Sequence, residues 1–349
     1  MKGRFTRRDF LKASGGAMAG AFVLGVAGCG SQGGEQQELK LEPSIYCGDK
    51  CKEALRLQAD PKNIEGSVAL SWNGTTHPYG AATLEKGKQL QQKFFPKMKL
   101  QTLDGRDDAT IQTSQVEDAI AGGIDVLIIS PLTTDALVPV VNRAKGEGVK
   151  VIAADRTVDT DVDLYIGANS VESGRIAGRY FVERLKDGGN VVEITGTLGA
   201  SATIDRHKGY TEIIEEHPEI KVIADQTGNY ARGPGLSVMQ DFLQRFPSGE
   251  IDAVYCHNDE MAFGAYQAIS EAGREDEMFV TGFDGSDVTF QSIKAGQMAA
   301  TVVYPVMSTE CLIGAAKMLA GEEVPQEILL ETPLVTKQNV NKYLGTNFG

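Results

Sequence analysis

The residues that could do chemistry in this chain stand just after short apolar runs. Trp72 and Asn73 follow Val68-Ala69-Leu70, Asp104 follows the run ending at Leu103, Ser130 follows Val126 to Ile129, and Asp155 and Arg156 follow Val149 to Ala153. Further along stand Thr195 and Thr197, Gln226 with Asn229 and Tyr230, His257-Asn258-Asp259, Asp284 and Tyr304. The set combines carboxylates, guanidinium, amides, hydroxyls and planar aromatics. A polyhydroxylated ligand needs that mixture. Each hydroxyl both donates and accepts, so Asp, Asn and Arg can pair with it, and the C–H faces of a sugar ring can stack on aromatic side chains.

Covalent and nucleotide chemistry find less support. No Gly-x-Gly-x-x-Gly follows a strand-like run, and neither Gly-x4-Gly-Lys-Ser/Thr nor Gly-x-Ser-x-Gly occurs, which removes the usual dinucleotide, P-loop and hydrolase signatures. Of four histidines, His207 and His257 lie near carboxylates. With no candidate nucleophile for them to activate, they read as surface or loop residues. The chain has five cysteines. For Cys47 and Cys51 a disulfide, a free pair and part of a metal site all stay open, although no Cys or His cluster completes four ligands. Cys256 and Cys311, in apolar surroundings, read as buried thiols.

The elements that must position these residues follow a rhythm that starts at Ser67. Apolar runs alternate with amphipathic stretches of helical period, such as Ile111, Val116, Ile120 and Leu137, Val140, Val141, Ala144. Runs of this length suit buried parallel strands joined by right-handed helical crossovers. A second series opens at Val191 and continues through Lys221 to Ala224, Ala253 to Tyr255 and Met278 to Val280. Between the series lie a short strand at 164–169 and a helix from Val171 to Lys186. Thr301 to Tyr304, a helix from Met307 to Leu319 and a strand near 334–336 close the pattern. It predicts an α/β protein with two similar lobes, whose ligand lies outside the carboxyl ends of the strands.

Residues 1–28 read as an export signal. A basic start with Arg7-Arg8, a short glycine-containing apolar stretch and Val26-Ala27-Gly28 before Cys29 match that plan better than a membrane span. The paired arginines before Phe10-Leu11-Lys12 resemble a twin-arginine signal, and Val-Ala-Gly-Cys resembles a lipobox that leaves Cys29 as the lipidated first residue. Residues 30–40 read as a flexible tether. The formal net charge is −13. The leader carries five basic residues against Asp9, so its removal leaves a charge of about −17. Such a surface repels phosphate backbones and gives no grip on anionic lipid, so nucleic-acid partners are excluded and the membrane tether must be covalent.

From about Gly66 to Lys337 the chain resembles the periplasmic sugar-binding proteins of the ribose-binding type. The matching segments are His77-Pro78-Tyr79, Ala154-Asp155-Arg156, Ser201-Ala202 with Arg206, and Asn258-Asp259-Glu260-Met261-Ala262. Gly282-Phe283-Asp284-Gly285 and Ala299 to Val302 complete them. The resemblance implies the type I periplasmic binding protein fold, with two Rossmann-like lobes of parallel sheet joined by a three-segment hinge. Its parts would be 29–62 as a lipid-anchored linker and Cys-containing preface, 63–168 plus 305–331 as the N-terminal lobe, and 169–304 plus 332–349 as the C-terminal lobe. The chain would cross near Ala168-Asn169, Tyr304-Pro305 and Glu331-Thr332.

The resemblance also implies a site of Asn73, His77, Tyr79, Asp155, Arg156, Arg206, Tyr230, Asn258, Asp284 and Tyr304. Tyr79 and Tyr230 would sandwich the sugar ring. Asp259 is read as the cap of the following helix, leaving Asn258 for the ligand. Three departures stand out: His77 where the family has Asn, Gly80 where a second aromatic is expected, and Tyr304 where a Gln is expected. Together they predict a wider wall and a ligand other than ribose, such as a pyranose, a cyclic polyol or a modified sugar. The implied protein is no enzyme, needs no cofactor or metal, and works as a monomer. Held at the outer face of the membrane through Cys29, it would pass a sugar or polyol to ABC permease subunits. The alternatives are a sugar-sensing receptor subunit and, remotely, a carbohydrate enzyme built on Asp155 and Asp284.

Overall fold

Residues 39–348 are described by a computed structural model of the protein. The export signal, Cys29 and most of the tether lie outside the described residues. A short helix α1 (Asp49–Ala54) precedes a run of alternating elements: β1 (Gly66–Trp72), α2 (Pro78–Phe94), β2 (Met98–Asp104), α3 (Ala109–Ala121), β3 (Val126–Ile129), α4 (Val138–Gly146) and β4 (Lys150–Ala154). After β5 (Leu164–Ala168) and α5 (Ser170–Arg184) the alternation resumes with β6 (Gly189–Thr195), α6 (Ser201–Ile214), β7 (Ile220–Thr227), α7 (Arg232–Arg245), β8 (Ala253–Cys256), α8 (Asp259–Glu271), β9 (Phe279–Asp284) and α9 (Asp287–Ala295). The chain continues through β10 (Ala300–Val303), α10 (Ser308–Leu319), β11 (Glu327–Leu330) and β12 (Leu334–Thr336).

The strands form two six-stranded sheets in the orders β11-β5-β4-β3-β1-β2 and β12-β10-β9-β8-β6-β7. Every pairing is parallel except β10 with β12. The two orders match position for position, so the lobes share one plan. The chain passes between sheets at 169, at 304–307 and at 331–333. Helices cover both faces, which is why β3 and β8 are buried along their whole length. The expectation of buried strands fails at β2 and β7. They are sheet edges, and most of their residues keep some exposure. Strand β11 has no counterpart in the sequence reading. Only Ile328 and Leu330 of its four residues are buried, too little for a periodic signal.

Residues 39–62 form an added layer on the first lobe. Cys47 and Cys51 are joined by a disulfide, and Tyr46, Cys47, Cys51 and Leu55 are buried in the core. The layer is tied down by polar contacts. Glu331 donates its N–H to the Tyr46 carbonyl at 2.8 Å, Ser44 donates to the buried Glu310 carboxylate at 2.7 Å, and Lys317 Nζ donates to the Arg56 carbonyl at 3.1 Å. Cys256 and Cys311 are buried free thiols. Among the described residues no helix is long and apolar enough to cross a membrane.

Helix α6, which carries Arg206, lies unusually close to α5. A Cβ at Gly209 would run into the Val171 carbonyl, and one at Gly174 would run into that of Arg206. Backbone packed against backbone cannot give way like a flexible side chain, so overpacking here costs about 1–3 kcal/mol. Gly209→Ala is therefore expected to lower the melting temperature by several degrees. An unchanged melting curve would show that the helix pair tolerates separation.

Candidate functional site

The carboxyl ends of both sheets face one cavity lined by His77, Tyr79, Asp155, Arg156, Ala202, Arg206, Tyr230, Asn258, Asp284 and Tyr304. Helix α2 brings His77 and Tyr79, and the turn after β4 brings Asp155 and Arg156. The other lobe brings Ala202 and Arg206 on α6, then Tyr230, Asn258 and Asp284 from the ends of β7, β8 and β9. Tyr304 stands in the second crossing. The lobes are closed over the cavity. Thr134 donates its N–H to the Gly199 carbonyl at 3.1 Å, Thr157 donates to Ser201 Oγ at 3.0 Å, and the Arg156 guanidinium lies 5.3 Å from the centre of the Tyr230 ring.

Asp155, Arg156 and Arg206 are each partly committed to protein and partly available. Asp155 accepts from Ser130 Oγ at 2.9 Å and lies 3.8 Å from Arg156 Nε. Arg156 donates to the Leu132 carbonyl at 2.8 Å. Arg206, 3 % exposed, donates to the His257 carbonyl at 2.6 Å, while its Nε has no partner. Its guanidinium also lies over Phe283 at 4.6 Å and Tyr304 at 4.9 Å. The Asp284 carboxylate, in a residue 9 % exposed, accepts no hydrogen bond from any described residue. Burial raises its pKa well above the usual carboxylate range, Asp259 behind it adds to the rise, and Arg206 opposes it. Loss of solvent, then Arg156, lowers the pKa of His77. His77 Nδ1 accepts from Gly80 N–H at 3.2 Å and starts α2.

Asn73 is the one proposed ligand residue outside the wall. It sits one layer behind, donating to Ser130 Oγ at 2.9 Å, and Ser130 in turn donates to Asp155. Asn258 lines the wall, but both ends of its amide are used. Oδ1 accepts from Met261 N–H and caps α8, and Nδ2 donates to the Tyr230 carbonyl at 3.0 Å. The cap of α8 is thus Asn258 and not Asp259 as expected, while Asn258 keeps its place on the wall and Asp259 does not line it. Asp259 is buried, accepting from Gly285 N–H, Thr289 Oγ1 and Thr301 Oγ1 at 2.7–2.8 Å. Gly80 does not widen the wall. A Cβ there would strike the Gly74 carbonyl and crowd Trp72, so no aromatic could stand on this backbone. Tyr304 fills its position with a buried ring, whose hydroxyl donates to the Asp155 carbonyl at 3.0 Å.

His257 stands in the loop between β8 and α8, as read, but not at the surface. It is fully buried, with Nε2 2.8 Å from Glu193 Oε1, and His207 Nδ1 meets the same carboxylate at 3.0 Å from the surface side. This chain stands behind Arg206, which is anchored on the His257 carbonyl. None of Glu193, His207 and His257 lines the cavity. The wall holds no serine, threonine or cysteine, and among the described residues no cluster of three or more metal-ligating side chains occurs.

Burial pushes the Glu193 carboxyl up, but hydrogen bonds from His207 and His257 outweigh it and hold it at about 2. A carboxyl held below its unfolded value of about 4.3 stabilises the fold fully above that pH. The contribution is lost as pH falls from there through about 2. Urea unfolding followed against pH should show this acid limb, and Glu193→Gln should flatten it. An identical limb in the variant would mean that Glu193 is not the group responsible.

Comparison with known proteins adds to this geometry. The family described as "Periplasmic binding protein domain" matches residues 68–316. The ribose import binding protein RbsB of Bacillus subtilis (strain 168) is 34% identical over 277 residues, covering 78% of this chain and 88% of that protein. Among solved structures, the fructose-binding periplasmic domain of a hybrid two-component system superposes with a TM-score of 0.77 and 31% identity, covering 80% of this chain and 93% of that one. The myo-inositol-binding protein of Caulobacter, solved with myo-inositol bound, gives 0.76 and 29%, covering 81% and 97%.

Proposed function

The chain belongs to the periplasmic binding protein family, of the ribose-binding type, and we propose that it captures a sugar or related polyol between its closing lobes and delivers it to an ABC importer. One observation carries the reading. The closed cavity sets Asp155, Arg156, Arg206 and Asp284 among the rings of Tyr79, Tyr230 and Tyr304. A carboxylate without a protein donor and a guanidinium with a free Nε suit the donor and acceptor sides of hydroxyl groups. The tyrosine hydroxyls are engaged elsewhere: Tyr79 donates to the Pro305 carbonyl, Tyr230 shares a hydrogen bond with Thr203, and Tyr304 donates to Asp155. These rings therefore serve as apolar surface, with Tyr79 and Tyr230 on opposite lobes to sandwich the ligand.

The relatives named above bind ribose, fructose and myo-inositol, so the ligand class is a monosaccharide or cyclic polyol. His77 and Tyr304 favour a compound other than ribose, because a ring and an imidazole replace two amides. We further propose that the leader exports the chain, that Cys29 carries the lipid, and that the protein works as a monomer without cofactor. Hinge closure then presents both lobes to the permease as one surface. The resemblance to a sensor's fructose-binding domain supports a second reading, in which the same closure reports sugar to a membrane kinase. Permease and ATPase genes beside this one would favour import, and a sensor-kinase gene would favour signalling.

A thermal-shift screen of the chain from about Glu35 against D-ribose, D-fructose, D-allose, deoxy sugars, myo-inositol, xylitol and amino acids tests the reading. A ligand that binds only the folded state raises the melting temperature. A shift with one carbohydrate names the substrate, and a shift with an amino acid alone overturns the sugar assignment. Asp284→Ala is expected to weaken binding by roughly ten- to a hundredfold in calorimetric titration, the usual effect of losing a charged hydrogen-bond partner. Wild-type affinity in that variant would move the site. Cys29→Ala should release the protein from membranes on cell fractionation, and continued membrane retention would refute the lipid anchor.

A further inference from the structure

Residues 343–348 lie across the back of the site. Asn347 is their centre. Its Nδ2 faces three carbonyls, those of Asp284 at 2.8 Å, Tyr304 at 3.1 Å and Gly285 at 3.3 Å. Its Oδ1 accepts from Val306 N–H at 2.8 Å. Three acceptors on one side and one donor on the other suit only this orientation of the amide. The side chain thus joins the end of β9, which carries the Asp284 carboxylate, to the second crossing between the lobes.

The segment is held at both ends. Gly345 donates its N–H to Asp287 Oδ1 at 2.6 Å, and Asp287 donates its own N–H to the Phe348 carbonyl at 2.8 Å. The Phe348 ring meets Tyr79 of the first lobe edge-on at 5.9 Å. Thr346 Oγ1 and the Tyr46 hydroxyl share a hydrogen bond of 2.6 Å, which ties the segment to the layer stapled by Cys47 and Cys51. One short stretch therefore touches the second lobe, the crossing and the first lobe.

The backbone at Asp284 shows why such a tie is needed. Its φ is +115°, a value that a residue with a Cβ keeps only when its surroundings over-determine it. Two other wall residues have positive φ, Asp155 at +65° and Tyr230 at +59°. Each has its carbonyl held by a side chain. The phenols of Tyr165 and Tyr304 donate to Asp155, and the Asn258 amide donates to Tyr230. Asn347 does the same for Asp284.

We infer that residues 345–348 are a clasp on the ligand site, in which Asn347 is a positioning residue that fixes the main chain of Asp284 and Tyr304 and so sets affinity. The inference rests on the sugar-binding reading of the cavity, and its test separates the two. Wild type, Asn347→Ala, Asn347→Asp, Asp284→Ala and the Asp284→Ala/Asn347→Ala double variant are titrated calorimetrically with D-fructose and myo-inositol. Hydrogen exchange is followed on the unliganded proteins.

Both Asn347 variants should lose about tenfold or more in affinity. Asn347→Asp should lose more, because it sets a carboxylate against three carbonyls. If Asn347 acts through Asp284, the double variant binds little worse than Asp284→Ala alone, whereas a general loss of stability would add in full. Amides of 284–290 and 302–306 should exchange faster in Asn347→Ala, with those of β3 unchanged. Wild-type affinity in both Asn347 variants, or fully additive losses, overturns the clasp. Should neither probe bind, these two are not the ligand, and should Asp284→Ala bind like the wild type, the site lies elsewhere; in both cases exchange alone decides. Faster exchange at 284–290 and 302–306 then upholds the clasp, and unchanged exchange overturns it.

Discussion

Backbone that side-chain-bearing residues adopt reluctantly aims the key groups of this cavity. Asp155, Tyr230 and Asp284 all have positive φ, at a cost of about 1–3 kcal/mol each for such conformations. The rest of the structure supplies what keeps them there. Two mostly parallel sheets deliver the three residues at strand ends, and tyrosine or asparagine side chains bind their carbonyls. The return on that strain is direction. A residue at the end of a strand would ordinarily continue along it, whereas the left-handed turn swings the carboxylate or ring towards the opposite lobe.

Desolvation is the second demand on the site. Arg156, Arg206, Asp155 and Asp284 are all nine-tenths or more buried, where an uncompensated charge is costly. The protein offsets part of that cost. Arg206 rests on the His257 carbonyl and among aromatic faces, and Asp155 receives the Asn73–Ser130 relay. Among the described residues the Asp284 carboxylate is left without a donor. A binding protein has reason to stop there, since a group fully satisfied by its own fold has nothing left to offer a solute.

The fold was legible because buried parallel strands leave apolar runs and helices leave a period. Most of the wall was legible because such a sheet presents its strand ends to one cleft. The failures have physical causes. Strand β11 buries only alternate residues. Asn258 and Asp259 are adjacent and both able to cap, and only burial of Asp259 among Gly285, Thr289 and Thr301 decides between them. His257 owes its burial to Glu193, a partner far away in sequence. Gly80 looked like room for a ligand until the Gly74 carbonyl proved to occupy it. Asn347 lies well beyond the periodic region, and nothing local marks it as part of the site.

Strand β11 carries one more consequence. Glu327 pairs with Tyr165, so β5 finds its neighbour only beyond the whole of the second lobe. A ribosome makes the chain in order, and for most of that time the first sheet has an open edge at β5. The second sheet waits in the same way for β12. The lobes therefore cannot be finished one after the other during synthesis, as separate domains can. Each nascent lobe carries a strand paired along one edge only, which invites wrong partners, and both open edges are covered together when the same short stretch of chain emerges.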